Sequence, residues 1–296
     1  MARNYQMAEL FARFALDCYS FPKMNHQLPK LITFDGEARS GKGTIVQATK
    51  DYLRDECGYE VMLIDAGQVF RVLGVAAVRA NVDLDDAEAV DAYLSDDANA
   101  EACVQFVKDV YHMPKEERDA LLYTNEAGEN SAKMGKRPLS QDFKDNLLRK
   151  WLRDAREEGF EVVLLDGRAL VETGEMLASN GLCDFSGGYY FICDSKVGAR
   201  RTLGFAGKTY EDLSEDEKTN VDVLIEQINA RDEADRTRAV QPVVPPAGAP
   251  TYKLPNIPED VPTSERPMFI IDTSAEISKE AMSLPVARLS AAILKR

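Results

Sequence analysis

Histidine is nearly absent from this chain: His26 and His112 are the only two. Chemistry that leans on imidazole bases or His-rich metal sites has little to draw on. The five cysteines, Cys18, Cys57, Cys103, Cys183 and Cys193, are odd in number and form no CxxC pair. That argues for buried reduced thiols in a cytoplasmic protein and against a disulfide framework or a zinc site. Positive charge is also short, with 36 basic against 50 acidic residues and a formal net charge of −14. Non-specific binding to nucleic acid or anionic membrane is disfavoured, although a local basic cleft for phosphates is still allowed. No apolar run is long enough to cross a bilayer. Arg13 and Asp17 interrupt the N-terminal stretch where a signal-peptide core would lie. What is present is an ordinary globular composition, 45% hydrophobic over 296 residues, enough for one large domain or two small ones.

The informative stretch is Leu31 to Thr44. Leu31, Ile32 and Phe34 form a short apolar run of strand type; Gly36, Glu37, Ala38, Arg39, Ser40, Gly41, Lys42, Gly43 and Thr44 follow. A helical pattern then starts with Ile45, Val46, Ala48, Tyr52 and Leu53. Strand, glycine-rich turn and helix make the setting in which backbone N–H groups and a helix N-terminus cradle a phosphate. Lys42 is placed to reach the outer phosphates as a point charge. The Thr44 hydroxyl can bind a phosphate or help place Mg²⁺. The bland alternative is a strand-to-helix turn that merely accommodates glycine.

Met7, Leu10, Phe11, Phe14, Ala15 and Cys18 recur at helical spacing, giving an N-terminal helical extension over 1–30. Packing on the core is the default for it. A monomer is the expected state, with a dimer through this helix as the alternative. Val61–Ile64 reads as a second strand ending at Asp65, with a helix from about Gln68 to Ala80. Residues 82–136 are acidic and helix-prone, with a polar stretch at 124–136, and read as an inserted substrate-side subdomain. Ser140–Glu158 is a helix; Val162–Leu165 is a buried strand ending at Asp166, and Tyr189–Cys193 is the next strand. An apolar strand ending in Asp downstream of a phosphate loop is where a carboxylate can sit near magnesium. Alternating strands and helices predict a parallel sheet covered on both faces, with ligand at the carboxyl ends. Eight of the thirteen prolines fall between Pro242 and Pro267, which predicts a surface loop. Phe269–Ile271 is the last strand, and Ser274 is placed to cap a helix over Ile277–Leu294.

Arg231, Asp235 and Arg238 fall at i, i+4 and i+7, on one helix face. A solvated ion-pair lattice is the plain reading. In an acidic chain, beside a phosphate loop, a cluster of arginines that grips phosphates bidentately is the better one.

Taken together, FDGEARSGKGT, LIDAGQVFRVLGVAA, LLDGR, INARDEADRTRAVQPVVP and IIDTS resemble the cytidylate kinases, a branch of the nucleoside monophosphate kinases, in order and over most of residues 31–275. The GKG order is how those kinases depart from the general loop pattern. The resemblance implies a three-layer α/β/α P-loop kinase fold with a parallel sheet, an inserted substrate-binding subdomain and a lid. The core would be 31–81 and 137–296, the monophosphate-binding insertion 82–136, the lid about 197–220 and a Pro-rich loop about 242–267. It implies ATP and Mg²⁺ as cofactors, small-molecule nucleotides as partners and pyrimidine metabolism as the setting, with neither nucleic acid nor membrane as partner. By the same resemblance Lys42 and its loop hold ATP, and Arg71, Arg168 and Arg231 match phosphate-binding arginines. Asp235 matches the carboxylate that takes the acceptor ribose, and Arg238 a ligand-site arginine. Arg200 and Arg201 open the lid segment, and Thr44 with Asp166 are the metal candidates.

Four positions depart from the pattern. Ala66 stands where Ser is usual, Ala169 where Asp is usual, and Ala132 and Lys144 where a serine and an arginine read cytosine. Three functions therefore stay open: transfer to CMP or dCMP, transfer to another nucleotide or small phosphate compound, and nucleotide binding without turnover.

Overall fold

The apolar runs become strands of one sheet in a computed structural model that describes residues 27–239, 241–258 and 266–295. In chain order the elements are β1 (Lys30–Gly36), α1 (Lys42–Asp55), β2 (Val61–Asp65), α2 (Ala66–Arg79), α3 (Ala87–Ser95) and α4 (Asp97–His112). Next come α5 (Lys115–Leu122), α6 (Asn125–Gly135), α7 (Pro138–Glu158), β3 (Val162–Asp166), α8 (Leu170–Ser179) and β4 (Asp184–Ile192). The chain ends with α9 (Ser195–Thr202), α10 (Glu215–Thr237), β5 (Thr251–Lys253), β6 (Met268–Asp272) and α11 (Lys279–Leu294). The N-terminal helix read from the sequence lies outside the described residues, and so does any dimer built on it.

The described chain divides into two compact units, one of residues 27–64 with 154–295, the other Asp65–Arg153. In the first, the sheet order is β2-β3-β1-β4-β6-β5, and the pairs β1–β3, β1–β4, β4–β6 and β5–β6 all run parallel. Alternation sets the two faces. Ile32 and Phe34 turn towards α1 and α11, joining Ile45, Val46, Leu53, Tyr189, Phe191, Phe269, Val286 and Leu289 in one buried cluster. Phe34 stacks on Phe191 with centroids 6.2 Å apart. The Tyr189 hydroxyl shares a hydrogen bond of 2.9 Å with Ser290, so a buried polar atom is satisfied. Each such aromatic contributes about 1.5–3 kcal/mol through burial. On the opposite face α8 closes on β4 where Gly174 has no side chain; a Cβ there would meet the Phe185 ring at 3.0 Å.

The second unit is helical. Val69, Val72, Leu73 and Ala77 of α2 pack with Val90, Leu94, Cys103, Val107, Leu122, Met134 and Phe143. This shared core is why the unit starts at Asp65 and runs to Arg153, and not over 82–136: α2 and most of α7 bury their apolar faces in it. The polar stretch 124–136 is helix α6, capped by the Thr124 hydroxyl on the Ala127 N–H at 3.1 Å.

Other expectations shift at their edges. Strand β4 begins at Asp184, five residues before Tyr189. The Pro-rich segment contains the short edge strand β5, at the sheet margin where proline is tolerated. Ser278, not Ser274, caps α11 through the Ala281 N–H at 3.1 Å; Ser274 instead accepts from the Asp194 amide at 2.9 Å. Helix α10 ends at Thr237, so Arg238 is its cap residue in extended conformation and lies outside the helix face predicted for it.

Candidate functional site

The loop after β1 is shaped by one close approach. Gly36 has φ +139°, and a Cβ there would fall 2.3 Å from the Phe191 carbonyl oxygen. The chain can turn there only as glycine. Glu37 then donates its amide to Phe191 O at 2.9 Å. The Ser40 hydroxyl bonds Glu37 O at 3.0 Å, and the Thr273 hydroxyl bonds Ser40 O at 2.8 Å. Gly41, with φ +79°, is the N-cap of α1. No side chain caps α1 and its first turn carries no acid, so its leading amides and dipole are offered to an outside anion. Gly43 and Thr44 are exposed at this end.

Beneath the loop is Asp35, fully buried near the end of β1. Its two oxygens accept the Gly36 amide at 2.7 Å and the Leu170 amide at 2.8 Å, the second capping α8. Burial pushes the Asp35 carboxyl above its ordinary value, against those two bonds and the charges of Lys42 and Arg168. Lys42 forms an ion pair with Asp166 at the end of β3.

Arg168 follows β3 and pairs with Asp235 of α10, with Asp232 at 3.6 Å. Burial pulls this guanidinium below its usual value, opposed chiefly by Asp232 and Asp35. Asp235 also lies 3.9 Å from Arg231 and 3.5 Å from Arg238. The carboxylate is thus a hub for three arginines, a tertiary arrangement and more than a surface i,i+4 lattice. Two non-glycine residues with positive φ flank the hub: Ala169 at +57°, beside Arg168, and Gln241 at +48°, whose carbonyl accepts from Arg238. A third, Arg39 at +57°, stands in the loop itself. Such strain collects where a site fixes its groups.

Arg200 and Arg201 of α9 are held away from this hub. Arg200 pairs with Glu276 at 2.6 Å, and Arg201 donates to the carbonyls of Thr273, at 2.8 Å, and Ala275. Arg71 belongs to the helical unit. Its guanidinium lies 4.7 Å from the Tyr123 ring centroid and donates to Leu122 O at 2.6 Å. The Tyr123 hydroxyl donates to Asp65 at 2.9 Å, while the other Asp65 oxygen caps α2 through Gln68 at 3.0 Å. Sequence reading gave no role to Tyr123, to Asp35, to Glu37 as a polar contact or to Asp232. Asp232 left a signal as a member of the RDEADRTR stretch, and Asp35 as a charge inside a buried strand.

At the departing positions, Ala66 is buried at the start of α2, and Lys144 is only 2% exposed, 2.9 Å from Asp145. Ser131, one residue before Ala132, is the buried hydroxyl at that place on α6. Among the described residues no cluster of three or more His, Cys, Asp or Glu forms a metal cage, and no helix is long and apolar enough to cross a membrane. Cys103, Cys183 and Cys193 are free thiols whose burial raises them above the usual value.

No family model matches the chain. It is similar to cytidylate kinases: 28% identical over 239 residues to that of Shewanella pealeana, covering 79% of this chain and 91% of that protein. The cytidylate kinase of Shewanella halifaxensis is 28% identical over 240 residues, with coverage of 79% and 91%. That of Aeromonas hydrophila is 27% identical over 219 residues, with coverage of 74% and 84%.

Proposed function

We propose that this chain is an ATP-dependent phosphotransferase, a nucleotide kinase whose acceptor is a nucleoside monophosphate or a close small-phosphate relative. The observation that carries the reading is the uncapped, acid-free N-terminus of α1 behind the Gly36–Lys42 loop, in a unit that also gathers three arginines on Asp235. Similarity to cytidylate kinases over most of the chain supports it.

Loop amides and Lys42 hold the donor phosphates, and Arg168, Arg231 and Arg238 hold and neutralise phosphate oxygens, exchanging their carboxylate partners for them. The acceptor is already an anion, so no strong base is required, which suits a chain with two histidines. Catalysis is then positioning and charge neutralisation. The protein offers one hydroxyl, Thr44, and one carboxylate, Asp166, which fits an ion carried mainly by phosphates and water. When bound there, Mg²⁺ supplies positive charge to the phosphate oxygens. Closure of the 197–220 segment would shed water from the site.

A different acceptor base is the second reading, favoured by Ala66 and by the buried Lys144. A cytosine edge left facing alanine costs about 1–3 kcal/mol per lost contact. A coupled assay of ADP release over a panel of monophosphates separates the possibilities. Turnover with CMP or dCMP supports the first, turnover with another acceptor alone supports the second, and ATP binding with no turnover on any acceptor refutes the kinase.

Arg71 supplies a further expectation. Its guanidinium carbon lies over the Tyr123 ring, a contact worth about 1 kcal/mol. Tyr123→Ala should raise the acceptor KM roughly fivefold to tenfold, while Tyr123→Phe, which keeps the ring, should stay within about threefold. Steady-state kinetics with the acceptor varied would settle it; equal effects of the two changes would place the contribution in the Asp65 hydrogen bond.

A further inference from the structure

Asp232 stands one residue after Arg231 on α10, inside the INARDEADRTRAVQPVVP stretch but with no role assigned to it there. One of its oxygens, Oδ1, accepts the Ala38 amide at 2.8 Å and lies 3.6 Å from Arg168. Ala38 is the middle of the phosphate loop. Its methyl group is buried with Ala199, Leu213, Val221 and Ile228 in a small core shared by α9 and α10. The next residue back, Glu37, lies 3.8 Å from Arg236, another side chain of α10. The loop is therefore fastened to this helix by an apolar plug, a charge-assisted hydrogen bond and an outer ion pair. Burial pushes the Asp232 carboxyl above its ordinary value, against the Ala38 bond and Arg168. Keeping a charge there has a cost, which the Ala38 bond and Arg168 offset.

We propose that Asp232 is a positioning residue that ties the phosphate loop to the arginine-bearing helix, so that filling the donor subsite pre-orders the arginines for the acceptor. This rests on the kinase reading of the same site. The donor loop and the Asp235 hub then move as one piece, and the Ala38–Asp232 bond is the polar contact that fixes the distance between the two phosphate subsites. Asp232 takes no part in the chemistry; what it contributes is an acceptor atom at a fixed place. Asparagine keeps that atom and nearly the same shape, whereas alanine removes it.

Two variants of the full chain, Asp232→Ala and Asp232→Asn, read the idea apart from folding. Amide hydrogen exchange over 36–44 should rise at least tenfold in Asp232→Ala and stay within about threefold of wild type in Asp232→Asn. In kinetics, Asp232→Ala should lower kcat about 30-fold with the ATP dissociation constant nearly unchanged. It should also abolish any tightening of ATP binding by saturating acceptor. Asp232→Asn should recover most of both. Unchanged loop exchange in Asp232→Ala, or an Asn variant as impaired as the Ala variant, would overturn the proposal. A wild-type chain inert towards every acceptor would refute the kinase reading and not the tie, because the exchange contrast reads the tie by itself.

Discussion

Lys42→Ala should lose about a thousandfold or more of its turnover, with the sheet and both hydrophobic clusters intact. The lysine sits at the mouth of the loop, its side chain 15% exposed and paired with Asp166. In that position it is one of few charges able to meet phosphate oxygens from a water-poor side, where a single preorganised donor carries roughly 3–4 kcal/mol of transition-state stabilisation. The structural cost should be smaller. Asp166 loses its partner and Asp35 loses one of the cations that oppose its burial, together about 1–2 kcal/mol. Thermal midpoint and circular dichroism establish folding first; calorimetry with an ATP analogue and the coupled assay then give binding and rate. Lys42→Arg separates charge from shape, since a guanidinium keeps the charge but not the compact point geometry. Turnover of Lys42→Ala within about tenfold of wild type would remove the loop from the mechanism.

The parts of the fold legible in advance are those written in consecutive residues. Leu31–Phe34, Val61–Ile64, Val162–Leu165 and Phe269–Ile271 are short apolar runs, and each is a strand of the parallel sheet. The first half of β4 was hidden because Ser186, Gly187 and Gly188 break the run. Those glycines are there for a neighbour: a Cβ on Gly188 would meet the Thr33 hydroxyl at 2.1 Å. Helix α6 was hidden by its polarity. It is a helix because Thr124 caps it and because Gly74 of α2 lets it close in, a Cβ there meeting Asn130 at 3.2 Å. The loop and its lysine could be read as a phosphate site because the chemistry is contiguous. Asp35 capping α8 from below, Asp232 on the Ala38 amide and Tyr123 under Arg71 join residues 135, 194 and 52 positions apart. No periodicity or motif spacing encodes such pairs; only the packed structure does.

Arg168→Met should be the variant that fails on two counts, catalysis and stability. The guanidinium is 17% exposed and stands among Asp235, Asp232 and Asp35. Methionine fills much the same volume but leaves these carboxylates without their common cation. Removing one partner of a buried pair costs about 3–5 kcal/mol, so a chemical-denaturation midpoint should fall sharply at neutral pH. The loss should shrink on acidification. Asp35 and Asp232 already have raised pKa values in the folded chain, and Arg168 holds both down. Without it they rise further above their unfolded values. The stability such groups contribute is fully present below the unfolded value near 3.8 and is lost as pH rises through the folded one. The gap between wild type and Arg168→Met should therefore be widest at pH 7 and above, and narrow steadily towards pH 5. Turnover should fall about a thousandfold at every pH where both proteins stay folded, since protonating the carboxylates does not restore a cation for the phosphates. A gap in stability that is flat from pH 5 to 8 would mean that Asp35 and Asp232 do not depend on Arg168. Restored turnover at low pH would mean that the arginine only balances charge and never meets a phosphate.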